Sequence, residues 1–547
     1  MKKFFTVFLA LILTVSTLCS CQKTRTEIIS GEDSYYDEIV YASGTESNTD
    51  SSGNSSPNKI TSNNSNKGTS SSSSTVSPEK GHIEGAGELK FTPVEDKGAD
   101  YGVSGTVKIA VDTVRVADYA AMFDVLQKLY PNIKIEFDYW AHSSSDSALE
   151  YLTTRAKTGT MADIIWDEAG TLPAYLTQGW VRPITEFVSK DPEYANVPEN
   201  LKSSYTYCGE VYALPHQATF EITAFNTDVL NKMNKSIPDL EWTADTFENL
   251  LNAGASKFQN GLCVAIDNLF STATWYGGYL AHKAGKDLTI AGYNYSSKQC
   301  DDISYYIEGA LMFRKWRTMA SGVEGWQEAQ TGALNERLGV KDYTKLWQSG
   351  KCLLKQCGTY DTPNWTNVKS NWKQWTVPNI DGCMPFHVDH CFITSQCKDE
   401  NAAAAFQVLR FITYSTNGNL ARLSMYDDEN EGKYALTSHI YYPTTVNAKV
   451  IEKFNSLSCA DEVDKYLLAN ISKCYRIDPY KIVPEWNNLA SKYLNGAANN
   501  VTDGKDTNGE GLAEARAKMN SGLKDAWQNF ETELKKVQAS FNSTHKR

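Results

Sequence analysis

Between Thr106 and Gln178 the chain alternates two hydrophobic periods, and this alternation restricts the fold more than any other feature of the sequence. Thr106–Val111 and Ile133–Tyr139 alternate apolar and polar residues, the period of a half-buried strand. From Asp118 to Tyr130, Met122, Phe123, Leu126 and Leu129 share one helical face, and Pro131 stops the helix. Ser147–Thr158 is helical and ends at Gly159. Asp163–Trp166 is a short buried strand, followed by a helix over Thr171–Gln178 capped by Gly179. Strand and helix in regular alternation predict an α/β fold with a largely parallel sheet. Ligands of such sheets bind beyond the carboxyl ends of the strands. The residues there are Asp112 and Thr113 after the first strand, Trp140 after the second, and Asp167 and Glu168 after the third.

Further on, Ile222–Asn226, Gly350–Gly358 and His390–Thr394 read as strands. A helix starts after Trp242 with Thr243 as its N-cap, and an Ala-rich helix covers Asn401–Thr413. The C-terminal third is helical, with a Gly/Asn/Asp-rich loop at Asn495–Gly511, and no internal repeat is present. A chain of 547 residues holds two or three domains. At 41% hydrophobic and 22% charged residues, full disorder and a multi-span membrane protein are excluded. The net charge of −12 argues against duplex nucleic acid, because nothing neutralises phosphates in bulk. The 13 Trp and 30 Tyr suit a surface that stacks on flat or sugar-like ligands. No P-loop or G-x-G-x-x-G sequence signals a nucleotide, and no cofactor is expected.

The N-terminus reads as an address. Lys2 and Lys3 precede the apolar run Phe4–Val15, which is too short for a confident membrane span. Leu18-Cys19-Ser20-Cys21 resembles a bacterial lipobox, which implies cleavage before Cys21 and diacylglycerol on its sulfur; the alternative is a plain signal peptide. A lipid there would anchor the protein outside the membrane without spanning it. Residues 1–20 are thus the signal and 21–103 a disordered tether, Ser/Asn-rich from Ala42 to Pro78. Beyond Cys19 and Cys21, ten cysteines remain, from Cys208 to Cys474. Their loose spacing argues against a zinc site and leaves disulfides open.

Six short signals stand in order along the folded part. They are Ala162-Asp-Ile-Ile-Trp with Tyr175–Ile184, Gly209–Pro215 with Ala224–Leu230, Trp242 with Phe247, Trp347–Leu354, Gly358-Thr-Tyr360, and the helix Ala402–Thr413. Together they resemble the family 1 extracellular solute-binding proteins, the maltose-binding-protein-like capture components of carbohydrate ABC importers. The resemblance covers roughly residues 104–530. Departures lie at the longer stretch Tyr293–Leu346, at Tyr360 where relatives carry Trp, and at His387-Val-Asp-His390.

The resemblance implies a two-lobed periplasmic-binding-protein-like fold of type II, with a ligand cleft between lobes. Residues 104–216 plus 389–450 would form one lobe and 217–388 plus 451–545 the other, with crossings near 215–220, 385–390 and 450. It also implies stacking by Tyr360 and Trp486, with Trp275 and Trp140 behind them. Sugar hydroxyls both donate and accept, so planar polar groups suit them: Asp112, Asp167, Glu168, Asp361 and Asp389, with Gln217 and Glu221 near the first crossing. The implied partners are a carbohydrate ligand and ABC permease subunits at the outer face of the cell membrane. Paired carboxylates in a cleft would also serve a glycoside hydrolase, drawing on Asp167/Glu168 and Asp361. His387, Asp389 and His390 are zinc-ligand types, but neighbours on a strand point to opposite sides, so hydrogen bonding is favoured over a metal.

Overall fold

The computed structural model describes residues 76–77, 82–83 and 89–545, apart from 141–144, 168–169, 260–263, 268–271, 287–291, 303, 319–338, 340–344, 366 and 429–439. The lipobox, most of the tether and Glu168 lie outside these residues. The strand–helix alternation appears as expected. Strand β1 (Gly105–Asp112) leads to α1 (Thr113–Leu129), β2 (Ile133–Trp140), α2 (Ser145–Thr158), β3 (Ile164–Asp167) and α3 (Leu172–Thr177). Next come β4 (Leu214–Asn226), α4 (Ala244–Gln259), β5 (Val264–Asp267), β6 (Cys352–Gly358), β7 (Trp372–Thr376) and β8 (Pro385–Ile393). Helix α5 (Asp399–Ile412), the short β9 (Tyr475–Arg476) and the long α6 (Glu510–Thr544) complete the elements used below. Thr243 caps α4 by accepting from Thr246 N–H at 3.2 Å. Asn495–Thr502, read from the sequence as loop, is helical.

These nine strands share one sheet, in the order β2-β1-β3-β8-β4-β6-β5, with β7 on β4 and β9 on β8. The ladders β1–β2, β1–β3, β5–β6 and β8–β9 are parallel. The antiparallel ladders of this sheet all involve β4 or β8. A parallel sheet is therefore right for the βαβ units and gives way at the two long strands that join them.

Strand β4 explains that junction. Its first half pairs with β8 over Leu214–Phe220, and its second half lies between β6 and β7 over Glu221–Asn226. From Gln217 to Ala224 its sequence alternates. Ala218, Phe220, Ile222 and Ala224 face the main core, while Gln217, Thr219, Glu221 and Thr223 face the other way. Strand β8 splits likewise: Phe386 and Val388 enter that core, and His387 faces Glu221. A register shift between Val388 and His390 resets the alternation. The third segment at the junction is β9, which pairs with Pro385–Phe386, whereas the region near 450 forms the helix Ala448–Ser456.

The folded part begins earlier than residue 104. Leu89 and Asp96 are buried. Val94 and Asn417 exchange two hydrogen bonds, at 2.9 and 3.0 Å. Arg410 on α5, fully buried, clamps the segment: Nη1 and Nη2 reach both oxygens of Asp96 at 2.7 and 2.8 Å. Its Nε reaches Asp191 at 2.6 Å, and Nη2 reaches Glu193 at 3.1 Å. Reading 89–103 as tether missed this because the segment's apolar residues, Leu89, Phe91, Val94 and Val103 among them, follow neither a helix nor a strand period; a buried salt bridge and packing of Leu89, Phe91 and Val103 on the core hold it.

Candidate functional site

The strand-end residues are set by register. Asp112 pairs with Trp140 across β1–β2, Ala110 pairs with Ile165 across β1–β3, and Asp167 pairs with His390 across β3–β8. The backbone thus brings Asp112, Trp140 and Asp167 to one edge of the sheet, beside β8.

On the other side of the junction the side chains converge. Tyr360 follows β6 and folds back onto Gly358. A methyl at Gly358 would lie 1.9 Å from the Tyr360 ring, so only glycine lets the ring lie down there. Gly358 stands directly opposite Glu221 in the β6–β4 ladder. His387 on β8 meets Glu221, Nε2 to Oε1, at 3.1 Å, and its ring lies 6.3 Å from that of Tyr360. Phe220 N–H donates to Thr359 Oγ1 at 3.2 Å and fixes the turn that carries Tyr360 and Asp361. Both Tyr360 and Asp361 remain partly exposed. Burial pushes the Asp361 carboxyl up to about 6, helped by Glu221 and Asp267, with Lys355 and the Gly358 N–H pulling the other way. Lys355 pairs with Asp267 at 3.4 Å.

Asp389 completes the polar face through a second network. It accepts from Lys481 at 2.7 Å, and Lys481 also lies 3.4 Å from Asp478. Arg476 donates to Asp478 at 2.7 and 3.0 Å, and Asp478 accepts from Val388 N–H at 3.0 Å. Burial opposes ionisation of Asp478, but Arg476 and Lys481 outweigh it and hold this carboxyl well below the usual range. His390 lies beside this network, its ring among Tyr205, which accepts from Arg476, and Phe392. Burial, then Lys481 and Arg476, push it down to about 3, so its ring is neutral. His387 and Asp389 thus take different direct partners, Glu221 and Lys481, and His390 packs on Tyr205 and Phe392. No group of three or more His, Cys, Asp or Glu that could hold a metal occurs among the described residues.

The structure brings Tyr360, Asp361, Asp389 and Glu221 to the polar face of the junction, and two expected residues elsewhere. Trp275 is fully buried among Phe247, Tyr276, Tyr279 and Trp316. No face of its ring is open, so it belongs to the core rather than to a ligand platform. Trp486 is 6% exposed and packs edge-on against Tyr293 at 5.3 Å, so little of its ring is available for stacking. Asp112, Trp140 and Asp167 are placed by their backbone only. Sequence reasoning missed Tyr480, a half-buried ring that acts electrostatically on Tyr360 and lies 5.9 Å from Lys481 Nζ. It also passed over Thr219 and Lys481, although the alternation of β4 marks the first of these.

Several solved structures share this fold. A sugar transporter protein of Rhizobium etli in an open conformation matches at TM-score 0.55 and 20% identity, covering 77% of this chain and 99% of its own. An ABC substrate-binding protein of Listeria monocytogenes in complex with cycloalternan matches at 0.53 and 15% identity, covering 77% and 99%. The cyclic alpha-maltosyl-1,6-maltose binding protein of Arthrobacter globiformis matches at 0.54 and 14% identity, covering 77% and 100%. No curated protein matches the sequence. The family model for bacterial extracellular solute-binding proteins matches residues 110–427, more than half of the sequence, and the chain belongs to that family.

Proposed function

We propose that this protein captures a saccharide at the polar face of β4 and β8 and delivers it to the permease of an ABC importer, without breaking a bond. The observation that carries this reading is the Tyr360 ring laid on Gly358 beside Glu221, His387 and Asp361. A flat ring accepts the C–H face of a sugar while the neighbouring carboxylates accept its hydroxyl protons. The cycloalternan held by the Listeria protein of the same fold agrees with this ligand class. On this reading the ring faces Asp112, Trp140 and Asp167 from across the junction, and closure of two lobes about β4 and β8 removes water from the ligand. Lipid on Cys21 would keep the protein at the outer face of the membrane.

Calorimetric titration of residues 89–547 with a panel of oligosaccharides, followed by chromatography of the recovered ligand, tests the reading. One-site binding and intact ligand are expected. Shortened ligand would mean a hydrolase, and binding of no saccharide would refute the proposal.

A further inference from the structure

Glu221 is 5% exposed, and its Oε2 has no hydrogen-bond partner among the described residues. Its other oxygen is held by His387. A buried carboxylate oxygen without a donor costs more than a neutral acceptor in the same place. Among the described residues the surroundings add no cation for it. Asp361 and Asp267 lie close enough to act on one another, and Lys355, already paired with Asp267, is the lysine that acts on Asp361. The nearby cations Arg476 and Lys481 are committed to Asp478 and Asp389. Three carboxylates thus share one lysine and a histidine at the edge of the proposed saccharide site.

We infer that the saccharide captured here carries a protonated amine, held by Glu221 and Asp361. This rests on the saccharide reading and narrows it to an amino-substituted ligand. A neutral hydroxyl could occupy Glu221 Oε2, but it would leave the excess negative charge uncompensated; an ammonium supplies three donors and one positive charge. The dependence on pH follows from the groups around Asp361, namely Glu221 on β4, Asp267 on β5, Lys355 on β6 and the adjacent Tyr360. The Asp361 carboxyl, pushed up to about 6, is largely protonated at pH 5 and ionised at pH 7. Attraction to a cation should therefore grow as pH rises through that window.

The test titrates the protein with β-1,4-linked oligosaccharides of 6-amino-6-deoxyglucose, whose primary amines stay protonated from pH 5 to pH 7, and with glucose oligosaccharides of the same linkage and length, which carry a hydroxyl where the former carry an ammonium. We expect the amine series to bind roughly tenfold tighter at pH 7, a charged hydrogen bond being about twice as strong as a neutral one. The preference should shrink at pH 5 and fall to near parity in Glu221→Gln and Asp361→Asn. Thermal unfolding confirms that these near-isosteric variants fold. Equal binding of both series, or tighter binding of the glucose series, overturns the inference and leaves the saccharide reading standing. Failure of both series, with binding of a simple diamine such as putrescine in their place, overturns the saccharide reading as well.

Discussion

Replacing Arg410 with methionine is expected to destabilise the protein by about 3–5 kcal/mol, the usual cost of removing one partner from a buried ion network. The guanidinium meets Asp96, Asp191 and Glu193, and the Tyr414 hydroxyl and the Thr416 N–H share two of those carboxylates. Methionine fills much of the volume but leaves three buried acids with no cation. Two readouts separate this from a surface effect. The urea midpoint should fall, and protease should cut near residues 94–100 under conditions where the parent resists, because Asp96 is the main polar anchor of that segment. A change below about 1 kcal/mol, typical of an exposed pair, would mean that the network is not buried as described.

The second large effect is expected at Asp478→Ala, again about 3–5 kcal/mol. This carboxylate is fully buried and serves Arg476, Lys481 and the Val388 N–H of β8. Its removal strands Arg476 beneath the polar face and leaves Lys481 with Asp389 as its remaining carboxylate. The pH dependence has a definite sign. The folded-state carboxyl is held below its unfolded value, near 3.9, so its stabilisation is complete above that value and is lost as pH falls below it. Melting temperatures measured from pH 6 to pH 2 should fall for the parent, and less steeply for the variant once its lower starting stability is allowed for. Equal slopes would contradict the ion-pair account.

The βαβ order between Thr106 and Gln178 was legible because each element repeats one hydrophobic period long enough to count. The same reading located Asp112, Trp140 and Asp167 at one sheet edge, since parallel register follows from that topology. The junction was harder. Gln217 and Glu221 were visible as candidates, but their worth depends on β8 and β6 lying beside them, pairings separated by well over a hundred residues. Trp275 and Trp486 show the opposite failure. A tryptophan at a family position looks the same in sequence whether its faces meet solvent or other rings, and here Phe247 and Trp316 close around one and Tyr293 abuts the other. Asp96 stayed hidden because its partner Arg410 is 314 residues away and the apolar residues around it follow no regular period.

Hydrogen–deuterium exchange with and without the tightest oligosaccharide tests the central claim most directly. Ligand should slow exchange in β4 over Leu214–Asn226, in the turn from Gly358 to Pro363 and in β8 over Pro385–Ile393, with the largest change beside Tyr360. Protection confined to another concave surface, such as the groove of about 100 Å³ lined by Tyr207, Lys298 and Trp527, would place the sugar elsewhere and contradict the account.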